Sequence, residues 1–323
     1  MKAHHAMDDE LDGSQGAGRC AVATSDTVRR ALRRRVAEGT VVEPFPRCFA
    51  RVDYWNGLTV PQRAAHVSLA YGRLHPKQVL AGPSALCLHP EVEQAFGLHD
   101  PAVVTVVTTH GSRIAAVGGG RGHVRHVHVE HIDSVRVGGV LATPLERAIV
   151  DCAVLCEAEL AIGTIDWALR KWRTLERLQR IKLHKVEDAL KVVWLLGFAD
   201  ARAENGGESR ARYVIHDLGF APPQLQVEFP NPDNPEFPLR VDFLWVLPDG
   251  SIVVAEYDGM AKYGDGTREV LAHAQRQERR DAILKSHGVR AIVHFTFEDL
   301  LHPERLWARL MYARVPLRPG FER

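Results

Sequence analysis

LRVDFLWVLPDGSIVVAEYDGMAKY, residues 239–263, is the stretch whose reading decides the fold. Two runs of alternating apolar residues, Arg240 to Val246 and Ile252 to Asp258, flank Leu247-Pro248-Asp249-Gly250-Ser251. Pro and Gly punctuate a chain and Asp caps its own turn, so the stretch predicts a β-hairpin. Side chains alternate across a strand. Asp242, Leu244 and Val246 therefore share one face of the first strand, and Ile252, Val254, Glu256 and Asp258 one face of the second. Pairing Val246 with Ile252 sets Leu244 opposite Val254 and Asp242 opposite Glu256. Directly opposed Cβ atoms lie about 4.5–5.5 Å apart, where like charges destabilise. Two such carboxylates either stay in solvent or share a cation, and a hard divalent ion such as Mg²⁺ suits an oxygen pair. The apolar strands around the acids favour the ion. An edge hairpin with solvated acids is the plainer alternative, and a one-residue slip would undo the pairing.

Around the hairpin the pattern reads as a helix over 208–219 with Glu208 in its first turn, a strand at 225–229, and a helix at 267–286. A strand at 289–296 and a closing helix at 297–312 follow. The order is α-β-β-β-α-β-α. Small polar residues at 199–207 (ADARAENGG), closed by two glycines, mark a domain boundary.

Upstream, Ser25 or Asp26 caps a helix over 24–37 whose outer face holds Arg29, Arg30, Arg33, Arg34 and Arg35. Short extended pieces broken by Pro44 and Pro46 follow. An arginine-rich helix before a hairpin is the outline of a winged helix, in which Arg29, Arg30, Arg33 and Arg34 would meet DNA. A merely solvated helix face is the alternative. His126 and His128 share a strand face near His123, Glu130 and His131, a weak metal signal beside the polar face of a half-exposed strand. GGGRG at 118–122 lacks the Gly-Lys-Ser/Thr ending of a phosphate loop and reads as a hairpin turn. Thr143-Pro144-Leu145-Glu146 reads as a helix start with Thr143 as cap.

Composition sets the outer bounds. The chain of 323 residues is 46% apolar and 25% charged, ordinary for a globular protein, with a net charge of +1 that excludes an indiscriminate polyanion coat. A second basic stretch, 170–191, stands out against that balance. The five cysteines form no CxxC pair, which points to a reducing cytoplasm. No apolar run reaches the ~18 residues of a membrane span, and the polar start has no secretory h-region. The expected organisation is an α/β (α+β) chain: a disordered tail at 1–23, a winged-helix and mixed α/β region at 24–165, a basic helical connector at 166–204, and an αβββαβ domain at 205–323.

GluSerArg at 208–210, ArgValAspPhe at 240–243, GluTyrAspGlyMetAlaLysTyr at 256–263 and GlnGluArgArgAspAlaIleLeu at 277–284, in that element order, resemble the PD-(D/E)XK nuclease superfamily, restriction-endonuclease-like in fold. More closely they resemble its Vsr-like endonucleases found as uncharacterised actinobacterial proteins. The likeness covers about 205–302. The upstream half more loosely resembles an AbiEi-type antitoxin region, through GlyProSerAlaLeu and ThrProLeuGluArgAlaIleValAsp. The resemblance implies Mg²⁺- or Mn²⁺-dependent hydrolysis of DNA, with Asp242 and Glu256 as metal ligands, Asp258 as a further ligand, Glu208 orienting the site and Lys262 neutralising transition-state charge. Asp258 stands where the superfamily has its lysine, so Lys262 would reach back from a loop. Gln277 and Arg280 would face the phosphate, unless they lie on a solvated helix face. A docking role on DNA or a protein partner falls to the N-terminal half. The competing expectations are a non-catalytic DNA-binding, antitoxin-like regulator with a degenerate nuclease fold, and an interaction module with solvated acids.

Overall fold

The chain divides into two units, Met1–Glu157 with Thr174–Gly197, and Ala158–Arg173 with Phe198–Arg323. The structure, a computed structural model, describes residues 2–94, 97–259 and 267–321. Both units mix helix and strand, an α+β fold.

The first unit starts with α1 (Lys2–Gly16), β1 (Ala21–Val22), α2 (Asp26–Ala37), β2 (Val41–Phe45) and β3 (Cys48–Arg51), the strands lying in the order β1-β3-β2. Ser25 caps α2, its hydroxyl accepting from the Val28 amide. The segment expected as a disordered tail is ordered. Leu11 is fully buried with Leu32 and Phe49, and Asp8 and Asp12 bind Arg35 and Arg51. One apolar side chain and two acids on one helix face suffice here because their partners come from α2 and β3, which composition cannot show.

Next come α3 (Val52–Gly57), α4 (Val60–Leu74) and α5 (Gly82–Leu86), then β4 (Val103–Thr108), β5 (Arg113–Val117), β6 (Gly122–His128), β7 (Val135–Val137), β8 (Val140–Ala142) and α6 (Leu145–Leu155). β6 runs parallel to β4 and antiparallel to β5. The glycine turn joins β5 to β6, with Val117 paired to Gly122. Gly118, Gly119 and Gly120 all have positive φ there, a region that favours glycine. Thr143 does not cap α6. Pro144 takes the cap position, and the Thr143 hydroxyl is buried without a partner. One residue early, that hydroxyl misses the first-turn amides a cap must reach.

The chain leaves this unit for α7 (Ala158–Trp172), and returns for α8 (Glu176–Gln179) and α9 (Val186–Phe198). No single connector spans 166–204: its first helix belongs to the second unit and its later ones to the first. α7 packs on α10 (Gly206–Asp217), where a Cβ on Gly163 would meet the Gly206 Cα at 3.0 Å. Buried Asp166 and Arg212 pair at 2.9 Å, and Arg210 binds Glu159 at 2.7 Å. The twin glycines read as a boundary are thus points of close approach. Gly206 faces α7, and a Cβ on Gly207 would lie 2.5 Å from the Tyr257 ring.

The second unit continues with β9 (Gln224–Phe229), β10 (Leu239–Val246), β11 (Ile252–Asp258), α11 (Thr267–Ser286), β12 (Val289–Thr296), α12 (Phe297–Leu301) and α13 (Pro303–Tyr312). The sheet order is β12-β11-β10-β9; β9, β10 and β11 are antiparallel, and β12 joins β11 in parallel. Observed pairs include Val246 with Ile252 and Leu244 with Val254, the register that alternation and the turn prescribe. Phe243, Trp245, Val253, Ala255 and Phe295 pack with Ala211, Val214 and Ile215 of α10. Leu244 and Val254 pack with Leu284 of α11. Asp242 and Glu256 lie inside β10 and β11, just past the hairpin pair Phe243 with Ala255 on the side away from the turn.

Candidate functional site

The hairpin ladder is recorded from Val246 with Ile252 as far as Phe243 with Ala255. Beyond it, Asp242 accepts a hydrogen bond at 2.8 Å from the amide of Tyr257, the residue after Glu256. On the other side of Asp242, β9 pairs Leu225 with Phe243 and Val227 with Val241. Gln226 between them has φ 54°, a backbone that costs a non-glycine residue about 1–3 kcal/mol. Its side-chain amide donates to Glu208 Oε2 at 2.9 Å and to Asp242 Oδ1 at 3.3 Å. One strained glutamine thereby bridges two acids from different elements.

Glu208 sits in the first turn of α10, capped by Asn205. It accepts from the Glu204 amide at 2.8 Å and from Asn205 Nδ2 at 2.5 Å, and is 7% exposed. Burial, aided by the charges of Asp242 and Glu204, pushes its pKa up to about 7. Burial and the charge of Glu256 also raise Asp242. Glu256, 7% exposed, is held differently. Arg280 of α11 approaches it at 2.8 and 3.2 Å, and also donates to the Arg240 carbonyl. Arg280 is therefore engaged by Glu256 and the β10 backbone rather than lying on a freely solvated helix face. Gln277 donates to Asp281 at 3.0 Å and lies 3.2 Å from His294. His294, on the strand beside Glu256, lies 3.5 Å from Asp258 and 3.3 Å from Asp281, and these acids with Glu256 raise its pKa.

The site thus gathers Glu208, Asp242 and Glu256 at one end of the sheet, with Asp258 in a neighbouring histidine network. Lys262 lies outside the described residues. Among the described residues no group of three or more His, Cys, Asp or Glu side chains is placed to hold a metal. His126 and His128 therefore belong to no such group, and Asp258 lies 3.5 Å from His294. A two-carboxylate site still fits Mg²⁺, which keeps several waters and uses one or two carboxylates with substrate phosphate rather than an all-protein cage. Buried Glu208 and half-buried Asp242 have raised pKa values and only neutral donors at hydrogen-bonding distance, the local chemistry such an ion relieves, whereas Glu256 has Arg280. Sequence reasoning missed Gln226 and Asn205; the pairing of β9 with β10 sets Gln226 opposite Asp242, and Asn205 had the ordinary signal of an N-cap residue before a helix.

On α2, Arg30 and Arg34 are exposed. Arg29 pairs with Asp26 at 3.1 Å, and Arg33 with Glu43 at 3.2 Å, Glu43 being shared with Arg121. The arginine face is therefore partly neutralised from within its own unit.

The chain is 34% identical over 179 residues to two uncharacterised proteins, MT2308 of Mycobacterium tuberculosis (strain CDC 1551 / Oshkosh) and Rv2248 of Mycobacterium tuberculosis (strain ATCC 25618 / H37Rv). The match covers 54% of this chain and 62% of each relative, so the chain spans under two thirds of their length. No family model matches the chain, and no solved structure matches it.

Proposed function

We propose that the second unit is a metal-dependent endonuclease that hydrolyses DNA phosphodiester bonds, while the first unit docks on DNA or on a protein partner. The observation that carries this reading is the convergence of Glu208, Asp242 and Glu256, three carboxylates from α10, β10 and β11, at one end of an αβββαβ sheet. Buried like charges so close are costly unless a cation or a proton intervenes. Asp242 and Glu256 would hold Mg²⁺ or Mn²⁺. When bound, such an ion polarises the scissile phosphate and lowers the pKa of the attacking water. Gln226 and the Tyr257 amide orient Asp242, and Glu208, with its pKa near 7, exchanges a proton at neutral pH as a general base requires. Lys262 is assigned the neutralisation of charge on the phosphate. Arg280 sets the orientation of Glu256 and must share it with any ion.

That last contact favours a second reading. A guanidinium on both oxygens of Glu256 neutralises the acid without a metal, as expected of a non-catalytic DNA-binding regulator that keeps the fold as scaffold. Plasmid cleavage by the full chain in millimolar Mg²⁺ or Mn²⁺, compared with Glu256→Ala, separates the two. Metal-dependent nicking lost in the variant supports the nuclease. Salt-sensitive binding without cutting supports the regulator.

A further inference from the structure

Two adjoining cavities lie within the first unit, of about 480 and 430 Å³. They share Arg147 and His184 as a common wall. Each is in the size range of small-ligand sites. Both mix apolar and charged side chains, and they differ in charge balance. The second is lined by Arg113, Arg125, Arg147 and Lys185 against Asp151 and Asp188. Asp151 is already bound by Arg147 at 2.7 Å. Among the described residues Arg113, Arg125 and Lys185 enter no ion pair, and with Asp188 the one remaining acid, the cavity keeps an excess of positive charge. The first cavity combines apolar side chains, Val107, Val129, Ile132 and Ile181, with charged ones: Glu146 and Glu130 are engaged by Arg177 and His184, while Asp133, Arg180 and Lys182 also line it. Into its lining falls Thr143, 2% exposed, whose hydroxyl has no hydrogen-bond partner. A buried hydroxyl left unmet is costly, and a ligand that meets it explains its retention. The imidazoles of His128 and His184 lie 5.4 Å apart, centre to centre, tilted by 48°, and present ring faces at the shared wall.

A cavity with excess positive charge, joined to one that sets apolar side chains and a buried hydroxyl among charged groups, matches a ligand with an anionic head and a flat, hydrogen-bonding body. We propose that the paired cavities bind a nucleoside phosphate, free or as the phosphorylated end of a nucleic-acid strand. The phosphate lies among Arg113, Arg125 and Lys185, and the base lies against the first cavity's walls with Thr143. This site needs no metal and no residue of the second unit, so it stands or falls apart from the nuclease reading.

The test is a calorimetric titration of the full chain, in chelator, with deoxyadenosine 5′-monophosphate and with a short oligonucleotide carrying a 5′-phosphate or a 5′-hydroxyl. Saturable binding is expected, weakening with salt and falling about tenfold or more in Arg113→Gln with Lys185→Gln, the loss of a charge-assisted contact. Thr143→Val is expected to weaken binding while leaving the melting temperature unchanged or raised, since an unmet hydroxyl is removed; a purely structural threonine would lower it. Binding of the mononucleotide identifies a free nucleotide. Binding of the 5′-phosphorylated strand alone identifies a strand end. No saturable binding of either probe, or binding unchanged in both variants, overturns the proposal. The Glu256→Ala chain should bind as wild type.

Discussion

Glu208 sets the pH behaviour of the candidate site. An exposed glutamate loses its proton near pH 4.3–4.5, whereas buried Glu208 does so at about 7. The folded state therefore binds the proton more tightly, and stability falls as pH rises from about 4.5 to about 7, then levels off. The whole effect is at most on the order of 3 kcal/mol. Glu208→Gln should be more stable than wild type at pH 8 and no more stable at pH 4, measured by urea unfolding at both. If Asp242 and Glu256 hold a divalent ion, saturating Mn²⁺ should stabilise wild type at pH 8 far more than at pH 4. Arg280→Gln removes the guanidinium from a 10%-exposed Glu256 side chain. It should cost about 3–5 kcal/mol without metal, the penalty for an uncompensated buried charge. Mn²⁺ should recover part of that loss in a thermal melt, and a regulator that binds no metal would show no recovery.

Elements are held by polar pairs that their own sequences do not announce. α1 docks through Leu11 and through Asp8 and Asp12 on Arg35 and Arg51. Leu11→Ala should cost about 2–5 kcal/mol by chemical denaturation, as for other fully buried leucines. Arg35 and Arg51 hold the Asp8 carboxyl down to about 2. Its contribution is present above the ordinary carboxylate range and is lost as pH falls through that value. In the second unit, Asp166 and Arg212 are both buried where α7 meets α10, with Arg212 also stacked over Phe198. Asp166→Ala leaves Arg212 uncompensated and should destabilise by about 3–5 kcal/mol. A surface pair such as Arg180 with Glu176 should change stability by less than about 1 kcal/mol on the same assay.

At the scale of the whole molecule, the chain passes between its two units at 157–158, 173–174 and 197–198, so neither unit is one uninterrupted segment. Among the described residues no helix is long and apolar enough to cross a membrane. Any DNA affinity must come from local basic surfaces, because the net charge is only +1. If α2 contributes, Arg30→Gln with Arg34→Gln should lower the slope of log affinity against log salt by about 2 in a band-shift titration. Arg33→Gln should change it less, because Glu43 already holds Arg33.

The amino-acid sequence determined what depends on local geometry. Alternation and the Pro-Asp-Gly turn set the register that pairs Val246 with Ile252, and helix periodicity set the element order around it. It also exposed the acids Asp242 and Glu256, because charges inside apolar runs are conspicuous, while Glu208 was named through the resemblance. Tertiary structure decided the rest, since it depends on partners distant in the chain. Gln226 reaches Glu208 and Asp242 from a left-handed turn of β9 that no propensity signals. Arg280 reaches Glu256 from α11, and the start of the chain becomes a helix because arginines of α2 and β3 await its acids. The glycines at 206 and 207 looked like a linker by composition, and packing made them contacts. Period and turn are properties of neighbours in sequence, whereas charge compensation and close approach are properties of neighbours in space.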